Sequence, residues 1–269
     1  EPAMTKTESD LHSCRVRRRV PADTRNKYVF ADCEDVNRGE SAPGAEEEVL
    51  FTGTPCQIAG LKSYLGKPYA NLYTVELICH GASSPKAFRK YCDYLEEVYQ
   101  SKIKTFQFRN KFKGVDNPFV LVEFESGSIE VENALKNNFS RAFRSNNLQR
   151  PSCYVCEFAG KRRGVADITI GDIGIEQEHP NFVNPKGVSI LKINTKQGEA
   201  LFGDKDELNL QESTYKKAYA HNYRGGMVMQ TSRAKLMYYL DEKPIDDLLL
   251  TFNKLKRGGL KGLSGILCV

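Results

Sequence analysis

The sequence predicts an α/β fold: a partly parallel sheet with flanking helices, plus a β-hairpin. Three observations carry that expectation. Two strand–loop–helix units follow each other between residues 49 and 100, each with an apolar strand, a Thr or Ser cap and a proline at the first helical position. A Ser126-Gly127 turn joins two short strand-like runs. Further short strands then alternate with helical stretches, the grammar of α/β proteins.

Residues 1–47 stand apart. They mix Pro, Ala, Gly and Ser with charge runs at Arg17–Arg19 and Glu46–Glu48, and hold a single short apolar patch, Tyr28–Phe30. A poorly ordered N-terminal segment is expected there. An ordered domain over 48–256 and a flexible, Gly- and Lys-rich tail over 257–269 complete the expected organisation.

In the first unit Val49-Leu-Phe51 reads as a buried strand and Thr54-Pro55 opens a helix. Ile58, Leu61 and Leu65 form its apolar stripe, and Gly66 stops it. The second unit runs from a strand at Leu72–Ile78 through Ser84-Pro85 into a helix ending near Gln100. There Phe88, Tyr91, Cys92, Leu95 and Tyr99 share one face. Strands are expected at Ile103–Phe108, Pro118–Glu125 and Ser128–Val131, then a helix over Asn133–Arg144 and a cysteine-bearing loop over Ser145–Arg163. Ala166–Ile170 and Val188–Ile193 read as strands. Helices are expected near Gln197–Phe202, Tyr215–His221, Ser232–Leu240 and Pro244–Lys256.

Composition narrows the function. The chain has 269 residues and a formal charge of +5, and no run reaches the roughly eighteen apolar residues of a membrane span. Its opening residues lack a basic flank followed by an apolar core, so no secretory signal is expected and a cytoplasmic location is. The basic clusters Arg15–Arg19 and Lys161–Arg163 have no interleaved aromatics for base stacking, which argues against nucleic acid. Anionic cofactors or an acidic partner protein suit the second cluster better, since it sits beside a C-x-x-C.

Eight cysteines in 269 residues are too few for a disulfide scaffold. Cys56 falls on the first turn of its helix, where free amides and the macrodipole favour a thiolate. Cys79 falls at the carboxyl end of its strand, the edge where open parallel sheets bind ligands. Cys153 and Cys156 form the C-x-x-C. Four thiols from three loops can complete one four-thiolate shell, suited to an iron–sulfur cluster or to tetrahedral zinc, and spacing does not separate the two. Each thiol also has an ordinary reading as a small buried hydrophobe. Cys92 belongs with the apolar helix face, while Cys14, Cys33 and Cys268 read as bystanders. A thiol–disulfide role for Cys153 and Cys156 lacks the flanking βαβ context.

Other candidates surround these. Thr52-Gly53-Thr54 before a helix start can cradle an anion, though Gly53 equally suits a tight turn. His80 beside Cys79 can tune a cluster, relay a proton or pack. Asp167–Asp172 ends a strand with aspartate beside glycine, and Lys186 opens the next strand where it can meet a phosphate.

Taken in order, Val49–Leu61 (VLFTGTPCQIAGL), Ile78–Pro85 (ICHGASSP), Arg150–Cys156 (RPSCYVC), Asp167–Asp172 (DITIGD) and Lys186–Thr195 (KGVSILKINT) resemble the beta-subunit family of coenzyme F420 hydrogenases and dehydrogenases. The resemblance covers residues 49 to 240. It implies an electron-transfer oxidoreductase subunit with one [4Fe–4S] cluster beside FAD, working between a small-molecule redox substrate and a partner protein or subunit. By resemblance the cluster ligands are Cys56, Cys79, Cys153 and Cys156. Thr52, Gly53, Thr54, Gln57, His80, Asp172 and Lys186 would lie close to cluster and flavin. Two features depart from the family pattern. Only 48 residues precede Val49, so the family's N-terminal region is expected to be shortened. Gly171-Asp-Ile-Gly174 stands where relatives carry bulky aromatics. The competing expectation is therefore a truncated, non-catalytic member with a structural cluster or zinc site.

Overall fold

In the computed structural model, residues 48–114, 117–159, 164–172, 187–202, 209–214 and 227–255 are described. Two sheets organise them. The first has four strands in the order β1 (Val49–Gly53), β2 (Leu72–Leu77), β6 (Ile168–Asp172) and β7 (Ser189–Ile193). β1, β2 and β6 run parallel, and β7 is antiparallel to β6. The second is an antiparallel meander of β3 (Ile103–Asn110), β4 (Phe119–Phe124) and β5 (Ile129–Asn133). The expected α/β class holds, and the expected hairpin is the β4–β5 half of this meander.

Helix α1 (Pro55–Leu65) joins β1 to β2 as a parallel crossover. Its start is set by sequence. Pro55 occupies the first turn, and the Gln57 side-chain oxygen reaches back to accept the Thr54 N–H at 2.9 Å. Gly66, at φ 67°, ends it in the left-handed conformation. Helix α2 (Pro85–Tyr99) begins at Ser84, whose hydroxyl accepts the Ala87 N–H. It does not return to the first sheet as a second crossover. Its apolar face, with Phe88, Tyr91, Cys92 and Leu95 buried, packs on the meander instead. Phe88 is fully buried, with ring centroids 5.0 Å from Phe106, 5.1 Å from Phe108 and 5.5 Å from Phe139. That aromatic knot belongs to the main core. It fixes α2, and so the loop entering it, against the second sheet.

Helices α3 (Asn138–Arg144), α4 (Pro151–Tyr154), α5 (Lys196–Phe202), α6 (Ser232–Tyr239) and α7 (Ile245–Leu255) complete the described elements. Several sequence expectations are corrected. β1 is an edge strand, not a buried one, and Leu50 is 51% exposed. The expected helix over Asn133–Arg144 starts only at Asn138. Asn133 ends β5 and its side chain accepts the Leu135 N–H, while Asn137 caps the helix by accepting the Ser140 N–H. The expected cysteine loop contains the short helix α4, started by Pro151. The strand expected at Ala166–Ile170 is Ile168–Asp172, with the Asp167 backbone just ahead of it already bonded to Thr74 O and the Asn194 N–H. The helix expected at Tyr215–His221, the segment 1–47 and the tail 257–269 lie outside the described residues. Among the described residues no helix is long and apolar enough to cross a membrane.

Candidate metal centre

The carboxyl ends of β1 and β2 lie side by side, because the two strands are parallel with Gly53 opposite Glu76. β1 runs directly into Cys56 on the first turn of α1, and β2 runs into Cys79. A third segment is stitched beneath them. Ser84 N–H donates to Leu148 O at 2.7 Å, Arg150 N–H donates to Ala82 O at 3.0 Å, and Ser83 bridges Gln149. This pairing brings α4, with Cys153, against the loop after Cys79.

The result is one pocket of about 70 Å³ whose walls include Cys56, Cys79, Cys153 and Cys156, together with His80 and Met227. All four thiols are free, Cys56 exposed and the other three partly so. Three of the sulfurs are met by hydrogen-bonding groups. Gly81 N–H donates to Cys79 Sγ at 3.3 Å, Ala82 N–H donates to Cys153 Sγ at 3.5 Å, and the Thr54 hydroxyl lies 3.2 Å from Cys56 Sγ. Burial pushes the Cys79 thiol up to about 11. The Gly81 N–H opposes that rise, and the charges of Cys56, Cys153 and Cys156 add to it. Ionising all four thiols would set like charges against one another in a partly dry pocket, a cost that a bound cationic centre would remove. Among the described residues no group of three or more His, Cys, Asp or Glu is drawn together tightly enough for a single metal ion.

Supporting residues hold the thiols in place. The Gly81 backbone is left-handed at φ +88°, which turns the chain after Cys79 toward α4. Gln149, 1% exposed, donates from Nε2 to Phe143 O at 2.6 Å. Arg233 on α6 donates to Gln149 O from Nη2 at 3.0 Å and Nε at 3.2 Å, and its guanidinium lies 5.2 Å over the Tyr154 ring. On the other flank Glu76, fully buried, accepts the N–H groups of Gly164, Val165 and Ala166 and the Thr169 hydroxyl. It thereby ties the chain leaving the C-x-x-C loop to the strand that carries Cys79.

The other expected site residues divide. His80 lines the pocket. Thr52 is exposed on β1, and Gly53 closes that strand with Gln57 packed close over it. Thr54 and Gln57 are bonded to each other as the helix cap, so their observed role is to set the start of α1 under Cys56. Asp172 ends β6 on the same sheet edge as the thiols, whereas Asp167 lies at the opposite end of that strand, bonded to Thr74 and Thr195. The run from Asp167 to Asp172, expected to end a strand, is mostly strand itself. Lys186 lies outside the described residues, and Cys92 packs in the core as expected. Sequence reasoning missed Gly81, Gln149, Arg233 and Met227. Of these only Gly81, directly after Cys79-His80, carries a local signal.

Fold and pocket together define an α/β protein with a four-thiol site at the carboxyl edge of a partly parallel sheet. The chain belongs to the family described as the C terminus of the coenzyme F420 hydrogenase/dehydrogenase beta subunit, whose model matches residues 46–216. Among solved structures it is similar to a chain described as "Xenon derivatization of the F420-reducing [NiFe] hydrogenase complex from Methanosarcina barkeri". That match has 20% identity and a TM-score of 0.36, and covers 80% of this chain. The chain spans 63% of that chain's length. No curated protein matches it.

Proposed function

We propose that the chain is an electron-transfer oxidoreductase subunit in which Cys56, Cys79, Cys153 and Cys156 hold one [4Fe–4S] cluster and the adjoining sheet edge takes FAD. One observation carries the reading: four thiols from three separated segments line a single pocket. A lone zinc ion draws its thiolates to within about 3.8 Å of each other, from Zn–S bonds of about 2.3 Å. A cubane cluster spaces its four cysteines more widely and suits a set not packed around one point. Backbone N–H groups aimed at Cys79 and Cys153 are the kind of contact that tunes a cluster's potential.

When bound, the flavin supplies exchange between two-electron and one-electron chemistry, and the cluster stores single electrons. This chain's residues orient and insulate. Gly81 and Ala82 place donors on sulfur, Glu76 and Arg233 fix the two halves of the pocket, and Met227 covers one wall. FAD would lie against the strand-end residues Thr52, Gly53, Thr54 and Asp172, with His80 and Lys186 as further polar contacts. Cys56, exposed on the pocket wall, opens it to the surface where a partner protein or subunit would receive electrons. The redox substrate is a small, flavin-reactive molecule, deazaflavin-like or other.

Anaerobic reconstitution with iron, sulfide and FAD tests this. The expected product keeps about one FAD per chain through gel filtration and passes electrons from reduced deazaflavin to a one-electron dye. Full iron loading with no retained flavin and no dye reduction would replace it with the structural-site reading.

A further inference from the structure

Two acceptors compete for one proton at the start of α1. The Thr54 hydroxyl oxygen lies 3.2 Å from Cys56 Sγ and 3.0 Å from Gln57 Oε1. A hydroxyl has a single proton to donate and two lone pairs with which to accept. Gln57 Oε1 also accepts the Thr54 backbone N–H at 2.9 Å. Two arrangements satisfy these contacts. With Cys56 protonated, its S–H donates to the Thr54 oxygen and the hydroxyl donates to Gln57 Oε1. With Cys56 as an anionic ligand, its proton has gone to solvent and only the hydroxyl can donate across the 3.2 Å contact. Gln57 Oε1 then keeps the backbone N–H.

This donor differs in kind from those at the neighbouring sulfurs. Cys79 and Cys153 are met by the main-chain N–H groups of Gly81 and Ala82. The chain at Ala82 is held by the bond from Arg150 N–H to Ala82 O, so its donor points one way whatever the sulfur carries. The Thr54 hydroxyl rotates about one bond, and it serves the exposed cysteine. The turn beneath it is fixed. Pro55 and Ile58 are buried, and the N–H groups of Gln57 and Ile58 both donate to Thr54 O, at 2.9 and 3.0 Å. Redirecting the hydroxyl therefore needs no backbone movement.

We infer that Thr54 is a positioning residue: it turns its hydroxyl from Gln57 to the Cys56 sulfur when that sulfur becomes a ligand, and so raises the reduction potential of the centre held there. This role rests on the four cysteines holding a cluster, as proposed above. Reduction adds negative charge, and a hydrogen bond to ligand sulfur strengthens as that charge grows, which favours the reduced form. The helix cap and the sulfur make opposite demands on one proton. The two cap residues should therefore act differently on the potential. Removing the hydroxyl lowers it, whereas removing the competing acceptor leaves the hydroxyl free for sulfur.

Dye-mediated redox titration of the full chain, reconstituted anaerobically with iron and sulfide and followed by electron paramagnetic resonance, tests this. Iron and sulfide are counted on every sample. Thr54→Val should lower the midpoint potential by at least about 28 mV, a roughly threefold change in the one-electron equilibrium at about 59 mV per tenfold. Thr54→Ser, which keeps the hydroxyl, should titrate with wild type. Gln57→Leu should titrate at or above wild type although it breaks the same cap, and it carries the test if Thr54→Val does not load. A loaded Thr54→Val chain at the wild-type potential, or a fall in Gln57→Leu, would overturn the role of Thr54 and leave the cluster standing. A wild-type chain that loads no cluster would overturn both.

Discussion

Replacing Gly81 with alanine strikes the turn that brings Cys79 and Cys153 together. At φ +88° a side chain brings backbone strain of about 1–2 kcal/mol. The new Cβ would stand 2.4 Å from Met227 Cε, 3.1 Å from Gln149 Cγ and 3.3 Å from Cys153 Cβ. The Met227 methyl ends a flexible side chain and can swing aside. Gln149 cannot, being 1% exposed and bonded to Phe143 O. Overpacking of this kind adds about 1–3 kcal/mol, so Gly81→Ala should cost about 2–5 kcal/mol. It should also disturb the N–H contact to Cys79 Sγ and so reduce iron loading. Urea denaturation of the metal-free chain and iron analysis after reconstitution read the two effects separately. Adding Met227→Ala should recover only the methyl clash and leave the backbone strain. A Gly81→Ala chain with unchanged denaturation midpoint and full iron content would refute the role given to this turn.

Two further perturbations follow from the same geometry. Asp167 is 5% exposed, and burial alone would raise its pKa. Hydrogen bonds from Thr74 and Thr195 outweigh that and hold the carboxyl below its usual value of 3.8. Its ionised form therefore stabilises the fold above the ordinary carboxylate range, and that contribution is lost as pH falls through the native pKa. Asp167→Asn should cost about 1–3 kcal/mol at neutral pH, and urea titrations should show the gap to wild type narrowing on acidification; a widening gap would contradict the sign. Arg233→Met removes both bonds to Gln149 O and the stacking on Tyr154. It should cost about 1–2 kcal/mol and speed alkylation of Cys153 in the metal-free chain, with Arg233→Lys restoring only part because it lacks the planar fork. Alkylation at the wild-type rate in Arg233→Met would separate Arg233 from the thiol site.

Elements with local causes were legible in the sequence. Thr54-Pro55 and Ser84-Pro85 announce the starts of α1 and α2, and Gly66 announces an end, because caps and glycine conformations act within a few residues. Parallel pairing of β1 and β2 followed from the crossover, and with it the common edge for Cys56 and Cys79. What α2 packs against did not follow. An apolar helix face does not say which sheet it meets, and Phe106, Phe108 and Phe139 decided that over long range. Asn133 and Asn137 shortened α3 through side-chain bonds that compete with helix formation. At the site, the thiols were visible as residue types, whereas Glu76, Gln149 and Arg233 act through backbone atoms of other segments and leave no spacing to read.

Iron and acid-labile sulfide per chain, measured after anaerobic reconstitution of wild type and of single Cys→Ser variants, test the four-thiol assignment most directly. About four irons and four sulfides are expected in wild type. Loading should fall in Cys56→Ser, Cys79→Ser, Cys153→Ser and Cys156→Ser and stay unchanged in Cys92→Ser, whose thiol is 4% exposed within the core. One zinc per chain without sulfide, or equal loss on replacing Cys92, would contradict it.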